Sequence, residues 1–268
     1  MGRSADLREI NREGTSVDVL ILEGGHVVRV ARTDAAADAL ARETALLTRI
    51  APHLPVRVPD VIDSAPGLAL QVYIPGEPLT RRRLANLPPA RREAVLADTH
   101  NFLTAMGGLA LDVPAAPAPH APSDFADLRS RAELTLFPRL SRSLAEEMRG
   151  FLDEQAAEPL DSARPGLIHG DLHPSHLLID TENQTLTGII DFGLAGRADT
   201  AIDLAGLWYN WGDGAIAHLT DDLAKRARAC RYARTYEIQW ALTALEEDRP
   251  DWLLYAMGAA KAIGADVW

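Results

Sequence analysis

Two carboxylates twenty residues apart constrain this chain most. Asp171 stands in Leu167-Ile168-His169-Gly170-Asp171, and Asp191 in Ile189-Ile190-Asp191-Phe192-Gly193. Each follows a short apolar run. Between them, Leu177-Leu178-Ile179 and Leu186–Ile190 flank the turn formers Asp180–Asn183. Apolar runs of this length, bounded by turn residues, read as the two strands of a hairpin. The pattern therefore predicts a short strand before Asp171 and a hairpin after it, which together present both carboxylates at one place.

Further elements follow from the same reading. Val17, Val19 and Ile21 alternate, Glu23-Gly24-Gly25 signals a turn, and Val27-Val28-Arg29-Val30 resumes a strand. Leu40, Leu46, Leu47 and Ile50 recur near a 3.6-residue period, so residues 34–50 are expected to be helical. The prolines of 52–59 stop that helix, and Leu68–Ile74 reads as a strand ended by Pro75-Gly76. Helices are expected at about 89–110, 124–135 and 143–157, with a Pro/Ala loop at 113–122. The chain beyond about 200 is expected to be helical. Residues 1–75 thus form a small, mostly antiparallel β unit with one helix, and 76–268 a larger, mostly helical part.

Net charge narrows the choice of partners. Residues 1–90 carry eleven charges of each sign, so the whole excess of −11 lies in 91–268. An acidic body argues against nucleic acid, which needs a basic footprint, and favours a cationic ligand. Plain solubility explains the same excess. No apolar run reaches the roughly 18 residues that span a bilayer, and the polar start MGRSADLREI reads as no secretory signal. Cys230 is the single cysteine, so an intramolecular disulfide is excluded and a reducing cytoplasm is the expected location.

The spacing itself points to phosphoryl transfer. That chemistry needs one carboxylate to orient the attacking hydroxyl and take its proton, and acidic ligands for the Mg²⁺ on the nucleotide phosphates. In the kinase pattern an Asp is followed five residues later by Asn, and later by the Asp of a D-F-G. Asp171 and Asp191 match the first and last; His176 stands in the middle place. Turn residues or hairpin caps are the bland alternative for both aspartates. Imidazole matches Mg²⁺ poorly, because that ion prefers oxygen. His176 is therefore read either as a metal ligand or as a hydrogen-bonding loop residue. His169 reads as a buried, satisfied histidine.

LIHGDLHPSHLLID, LTGIIDFG and DLAGL, with weaker matches from VVRVAR to IPGEPL, resemble the aminoglycoside phosphotransferase family. The likeness covers roughly residues 15–210. It implies an α+β, bilobal, protein-kinase-like fold, with a β-rich nucleotide lobe at 1–75 and a helical catalytic and acceptor-binding lobe at 76–268. It implies ATP or GTP with Mg²⁺, Asp171 as catalytic base, and Asp191 with His176 at the metal. Arg29 would reach the phosphates, tethered by Glu43. The phosphate-covering loop falls at Glu13–Val17, including Ser16, and the linker near Leu70–Ile74, including Gln71 and Val72. Asp203 is either a brace for the catalytic loop or a helix cap.

The acceptor is expected beyond Asp191, where Trp208, Trp211, Glu237 and Trp240 offer aromatic faces and carboxylate for a cation. Tryptophans at helical spacing are also ordinary core residues. VVRVARTDAAADAL and LFPRL resemble family members that inactivate tuberactinomycin cyclic peptides, viomycin and capreomycin. That likeness implies a cationic cyclic-peptide antibiotic, with an aminoglycoside or macrolide as alternative acceptors and a monomer or weak dimer as the assembly. A metabolic kinase for a small hydroxyl compound and a non-catalytic nucleotide-binding module are the rival classes.

Overall fold

The structure, a computed structural model, describes residues 6–11, 16–116, 122–157 and 165–248. In chain order it begins with strands β1 (Leu7–Asn11), β2 (Val17–Leu22) and β3 (His26–Ala31), then helix α1 (Asp34–Ile50). Strands β4 (Val61–Ala65), β5 (Leu68–Val72) and β6 (Glu77–Pro78) precede helices α2 (Arg81–Asn86), α3 (Pro89–Gly108), α4 (Pro122–Thr135) and α5 (Arg142–Ala157). Four short strands follow: β7 (Pro165–Ile168), β8 (Leu177–Asp180), β9 (Thr185–Ile189) and β10 (Gly196–Asp199). Helices α6 (Ala201–Trp211), α7 (Asp213–Ile216) and α8 (Leu223–Glu246) complete it. Among the described residues no helix is long and apolar enough to cross a membrane.

Packing divides the chain into two compact units. One comprises Met1–Val113 with His169–Ala195, and the other Pro114–Ile168 with Gly196–Trp268. In the first, five antiparallel strands run in the order β1-β2-β3-β5-β4. Gly25 closes the β2–β3 turn at φ +73, a value that costs glycine nothing. The register aligns Val19, Arg29 and Ala69 across three strands, and Ile21, Val27 and Gln71 across the next line. Side chains two apart on a strand share a face, so these six lie on one side of the sheet. Helix α1 starts at Thr33, whose hydroxyl accepts from Ala36 N at 3.2 Å. Its Leu40, Leu46, Leu47 and Ile50 are buried, each worth about 1.5–3 kcal/mol against exposure.

The second sheet of this unit, β6-β8-β9, contains the expected hairpin. Asp180 builds its turn by accepting from Glu182 N at 2.8 Å and Asn183 N at 3.0 Å. Gly188 on β9 is packed so closely that an added Cβ would lie 2.7 Å from Ile74 and 2.9 Å from the Arg57 carbonyl. The linker after β5 is thereby seated on the hairpin.

In the other unit, β7 pairs antiparallel with β10. Leu128, Ala132, Phe137, Phe151, Leu152, Ile238 and Leu242 make a core shared by α4, α5 and α8. The N-terminus of α6 is organised by Asp199. Its carboxylate accepts from Ala201 N at 3.0 Å and from Arg228 Nε at 2.7 Å.

Five elements escaped the sequence reading: β1, β4, β6, α2 and β10. Strand β1 is exposed along its whole length and has no alternating apolar face; pairing with β2 defines it. Strand β10 reads Gly-Arg-Ala-Asp, a composition poor in strand formers that is extended because β7 offers it an edge.

Candidate active site

The first unit brings Arg29, Glu43, Asp171, His176 and Asp191 together. Arg29 on β3 forms an ion pair with Glu43 on α1, and its Nη2 lies 3.6 Å from Asp191 Oδ1. The Glu43 side chain is 2% exposed. Burial pushes its carboxyl up, against the pull of Arg29. Burial opposes the charge on Arg29 too, but Glu43 and Asp191 together raise its guanidinium above its ordinary value. Glu43 Oε1 also accepts from Phe192 N at 3.2 Å. One buried carboxylate thus holds both the strand cation and the backbone beside Asp191.

His169 braces the loop from beneath. It is fully buried. Its Nε2 donates to the Ile190 carbonyl at 2.9 Å, and its Nδ1 accepts from Asp171 N at 3.3 Å. Those two bonds fix one neutral tautomer. Burial, then His176, lower its pKa to about 4. Its ring rests 4.5 Å from Phe192, centroid to centroid, and Phe192 meets Phe102 of α3 edge-on at 6.4 Å. Gly170, between His169 and Asp171, has φ +84, and a Cβ there would come within 2.2 Å of the Leu194 carbonyl. Any side chain would push the two aspartate loops apart.

His176 joins the two carboxylates. Its Nδ1 lies 2.7 Å from the Asp171 main-chain carbonyl, which only accepts, so Nδ1 carries the proton. Its Nε2 faces Asp191 Oδ2 at 3.6 Å. Ile190 N donates back to the His176 carbonyl at 2.9 Å. The Asp171 and Asp191 side chains remain 43% and 47% exposed, open to a ligand. Asp191 has φ +69, an uncommon conformation for a non-glycine residue. Burial would raise its carboxyl, yet His176, Arg29, His169 and the Gly193 amide hold it below the usual range.

Among the described residues no group of three His, Cys, Asp or Glu side chains forms a metal cage. Mg²⁺ does not ask for one; it is held by one or two carboxylates with phosphate oxygens and water. The half-exposed, ionised Asp191 carboxylate fits that requirement. The imidazole of His176 contributes one nitrogen, a weaker match.

Ser16, Gln71 and Val72 are the other expected site residues of the first unit. Ser16 is exposed at the start of β2, and its carbonyl accepts from Arg32 N at 3.0 Å; residues 13–15 of the phosphate-covering loop lie outside the described residues. Val72 N donates to the Asp60 carbonyl and Tyr73 N to the Gly25 carbonyl, each at 2.9 Å. Gln71 is buried on the Arg29 face of the sheet. In the other unit, Asp203 is buried in the first turn of α6, while Trp208 and Glu237 are half-buried. Trp240 is partly buried against the α4–α5–α8 core. Trp211 has no exposed surface. It packs as core, and no ligand can stack on it. Val19, Ile21 and Val27 escaped the reading of the site. Their membership of the Arg29 face follows from strand register, although the alternation of β2 and β3 already carried the signal.

Viomycin phosphotransferase from Streptomyces vinaceus is 30% identical over 251 residues, covering 84% of this chain and 83% of that protein. A shorter match, 38% identical over 84 residues, covers 31% of this chain and 26% of the uncharacterized protein YcbJ of Bacillus subtilis (strain 168). The solved GDP and kanamycin complex of APH(2")-IIia superposes with a TM-score of 0.84 at 22% identity, over 98% of this chain and 95% of that one. The kinase-like α+β fold that the family resemblance implies is therefore the fold of this chain. The profile of the phosphotransferase enzyme family matches residues 6–253, and the chain belongs to that family.

Proposed function

We propose that this protein moves the γ-phosphate of ATP or GTP, with Mg²⁺, onto a hydroxyl of a cationic antibiotic. A tuberactinomycin cyclic peptide such as viomycin or capreomycin is the first choice of acceptor. The observation that carries the chemistry is the convergence of Arg29, Glu43, Asp171, His176 and Asp191 in one unit. The likeness to viomycin phosphotransferase over 84% of the chain supports the acceptor. Nucleotide binding is assigned to residues 1–75, and catalysis and acceptor binding to 76–268.

Each side chain has one task in this reading. Arg29 sets a fixed cation over the α- and β-phosphates, and Glu43 keeps it from collapsing onto Asp191. Asp171 orients the acceptor hydroxyl and takes its proton as the oxygen attacks phosphorus. Asp191 holds the metal, and His176 keeps Asp171 and Asp191 in register while offering Nε2 on the metal side. Asp191, with His176 beside it, would hold Mg²⁺, which when bound would supply neutralisation of phosphoryl charge. Glu237, Trp208 and Trp240 are assigned to the cationic acceptor, through ion pairing and aromatic faces; Asp203 braces the start of α6.

The kanamycin complex of a protein with this fold favours an aminoglycoside as second acceptor. Mass spectrometry of an antibiotic panel after incubation with the protein and MgATP or MgGTP decides. A gain of one phosphoryl group on viomycin or capreomycin is expected, and fragmentation locates the hydroxyl. No modified antibiotic, with phosphate appearing on an amino alcohol instead, would make the protein a metabolic kinase.

A further inference from the structure

The five-stranded sheet of the first unit turns one face to α1. Arg29 reaches Glu43 from that face, and a Cβ added at Gly67 would meet Ala37 of α1 at 3.7 Å and Ala31 of β3 at 3.9 Å. Strand residues one step away point to the opposite side. There the register aligns Ile10, Leu20, Val28 and Leu70 in one row, and Val30 with Leu68 in the next. All six are aliphatic, and none is buried: Ile10 is 42% and Leu68 43% exposed, and the other four are half-buried. Within these rows charge stands only at the ends. Asp63 closes the first row, and Asp18, bridged to Arg32 at 2.7 Å, closes the second.

We propose that this aliphatic face binds the same face of a second copy of the chain, sheet on sheet, in a two-fold dimer. Area and charge select that occupant. The six side chains leave about 300 Å² of contiguous apolar surface, the size at which a patch on a monomer carries a function. Two such faces with their polar margins bury on the order of 1,000 Å², the lower bound for a specific interface, so the dimer is a weak one. Residues 1–90 carry eleven charges of each sign, and two copies meet there without net repulsion. The excess of −11 in 91–268 opposes self-contact through the rest of the chain. Asp18 and Asp63 at the margins disfavour an anionic lipid surface. Packed sheets interdigitate their side chains about 10 Å apart with strands within about 30° of one another, and a contact of one face with itself closes after two copies. Arg29 and Gln71 point to the other side of the sheet, so the pairing leaves them uncovered.

Sedimentation velocity from about 1 to 200 µM reads the assembly. The parent should pass from monomer to dimer with a Kd of about 10 µM. The dimer should persist in about 0.5 M sodium sulfate, which strengthens apolar burial and screens charge. Leu20→Lys, inside the first row, and Leu68→Lys, at an exposed position, should each weaken dimerisation by more than about 30-fold. Leu134→Lys, at an 81% exposed position on α4, should leave it unchanged. Leu68→Lys places its charge at the surface and keeps the parent Tm, so it decides the outcome if Leu20→Lys fails to fold. A parent that is monomeric at about 200 µM, a dimer that dissociates in sulfate, or Leu68→Lys dimerising as the parent does overturns the proposal. Binding of the parent to neutral or anionic vesicles that Leu68→Lys abolishes also overturns it, because the face would then belong to lipid.

Discussion

Arg29 and Arg228 each meet a buried carboxylate, and the surroundings of the two pairs differ. In the second unit, Asp199 takes Arg228 Nε at 2.7 Å and Nη2 at 3.2 Å, Ala201 N at 3.0 Å and Tyr232 Oη at 3.4 Å. Burial and then Asp199 push the Tyr232 phenol up, which keeps it a donor. That carboxylate is saturated, and its partners tie α8 to the start of α6. In the first unit, Glu43 takes Arg29 and one backbone N–H, while Arg29 faces a further, half-exposed carboxylate, Asp191. This pair is left open toward a ligand. A saturated buried pair fixes a fold; an open one holds charge ready for something that arrives.

The largest expected effect tests the open side of this contrast. Asp171→Asn keeps the shape and hydrogen-bonding capacity of the side chain but cannot accept the hydroxyl proton. Its kcat should fall by about 10³, with MgADP affinity within about twofold of the parent in a fluorescence displacement assay. A kcat loss under tenfold would remove Asp171 from the role of base.

The saturated pair should respond in the opposite way. Arg228→Met leaves Asp199 buried with its main cation gone, at a cost of about 3 kcal/mol. For a chain of this size that corresponds to a fall in Tm of about 8 °C, read by calorimetry. Turnover per folded molecule should stay within about twofold below the transition. A large loss of turnover at full folding would show that the Asp199 pair does more than hold α6 and α8.

Glu43→Gln sharpens the comparison most. The amide still accepts from Phe192 N but carries no charge, so Arg29 is drawn toward Asp191 and away from the phosphates. Turnover should drop about 100-fold, with a higher nucleotide KM. Stability should not drop, because burial already disfavours the Glu43 charge. Activity lost without Tm in Glu43→Gln, and Tm lost without activity in Arg228→Met, is the double dissociation that the two environments predict. A parallel loss of both in either variant would break it.

What the sequence made legible follows the same division. The open site could be read because phosphoryl transfer fixes residue types at fixed spacings: Asp171, Asp191 and the hairpin between them stand where they were expected. Arg29 and Glu43 were reachable through the family resemblance carried by VVRVAR; strand alternation and helix periodicity alone give each residue only a face. The saturated cluster was invisible. Asp199, Arg228 and Tyr232 are separated by up to 33 residues, and nothing in their spacing marks them as partners; α6–α8 packing brings them together. Trp211 went the other way. Its aromatic face was read either as a contact for a cation or as core, and burial in α6 makes it core. Strands β1 and β10 were illegible because an edge, not a sequence pattern, makes them extended.

The smallest expected effect concerns Glu237, half-buried on α8 and assigned above to the cationic acceptor. Burial raises its carboxyl to about 7. An acid whose pKa is higher folded than unfolded stabilises the fold while protonated, and that contribution is lost as pH rises from the unfolded value of about 4.3 through the folded one. The parent should therefore lose stability from Glu237 between about pH 4.5 and 7.5. Glu237→Gln, neutral throughout, should raise Tm by about 2 °C at pH 8 and leave it unchanged at pH 4.5. The same substitution removes the charge offered to the acceptor, so KM for a cationic antibiotic should rise at pH 8 while KM for the nucleotide stays fixed. A Tm gain without a change in acceptor KM would leave Glu237 as a poorly solvated helix residue and move the cation site elsewhere on the acidic C-terminal part of the chain.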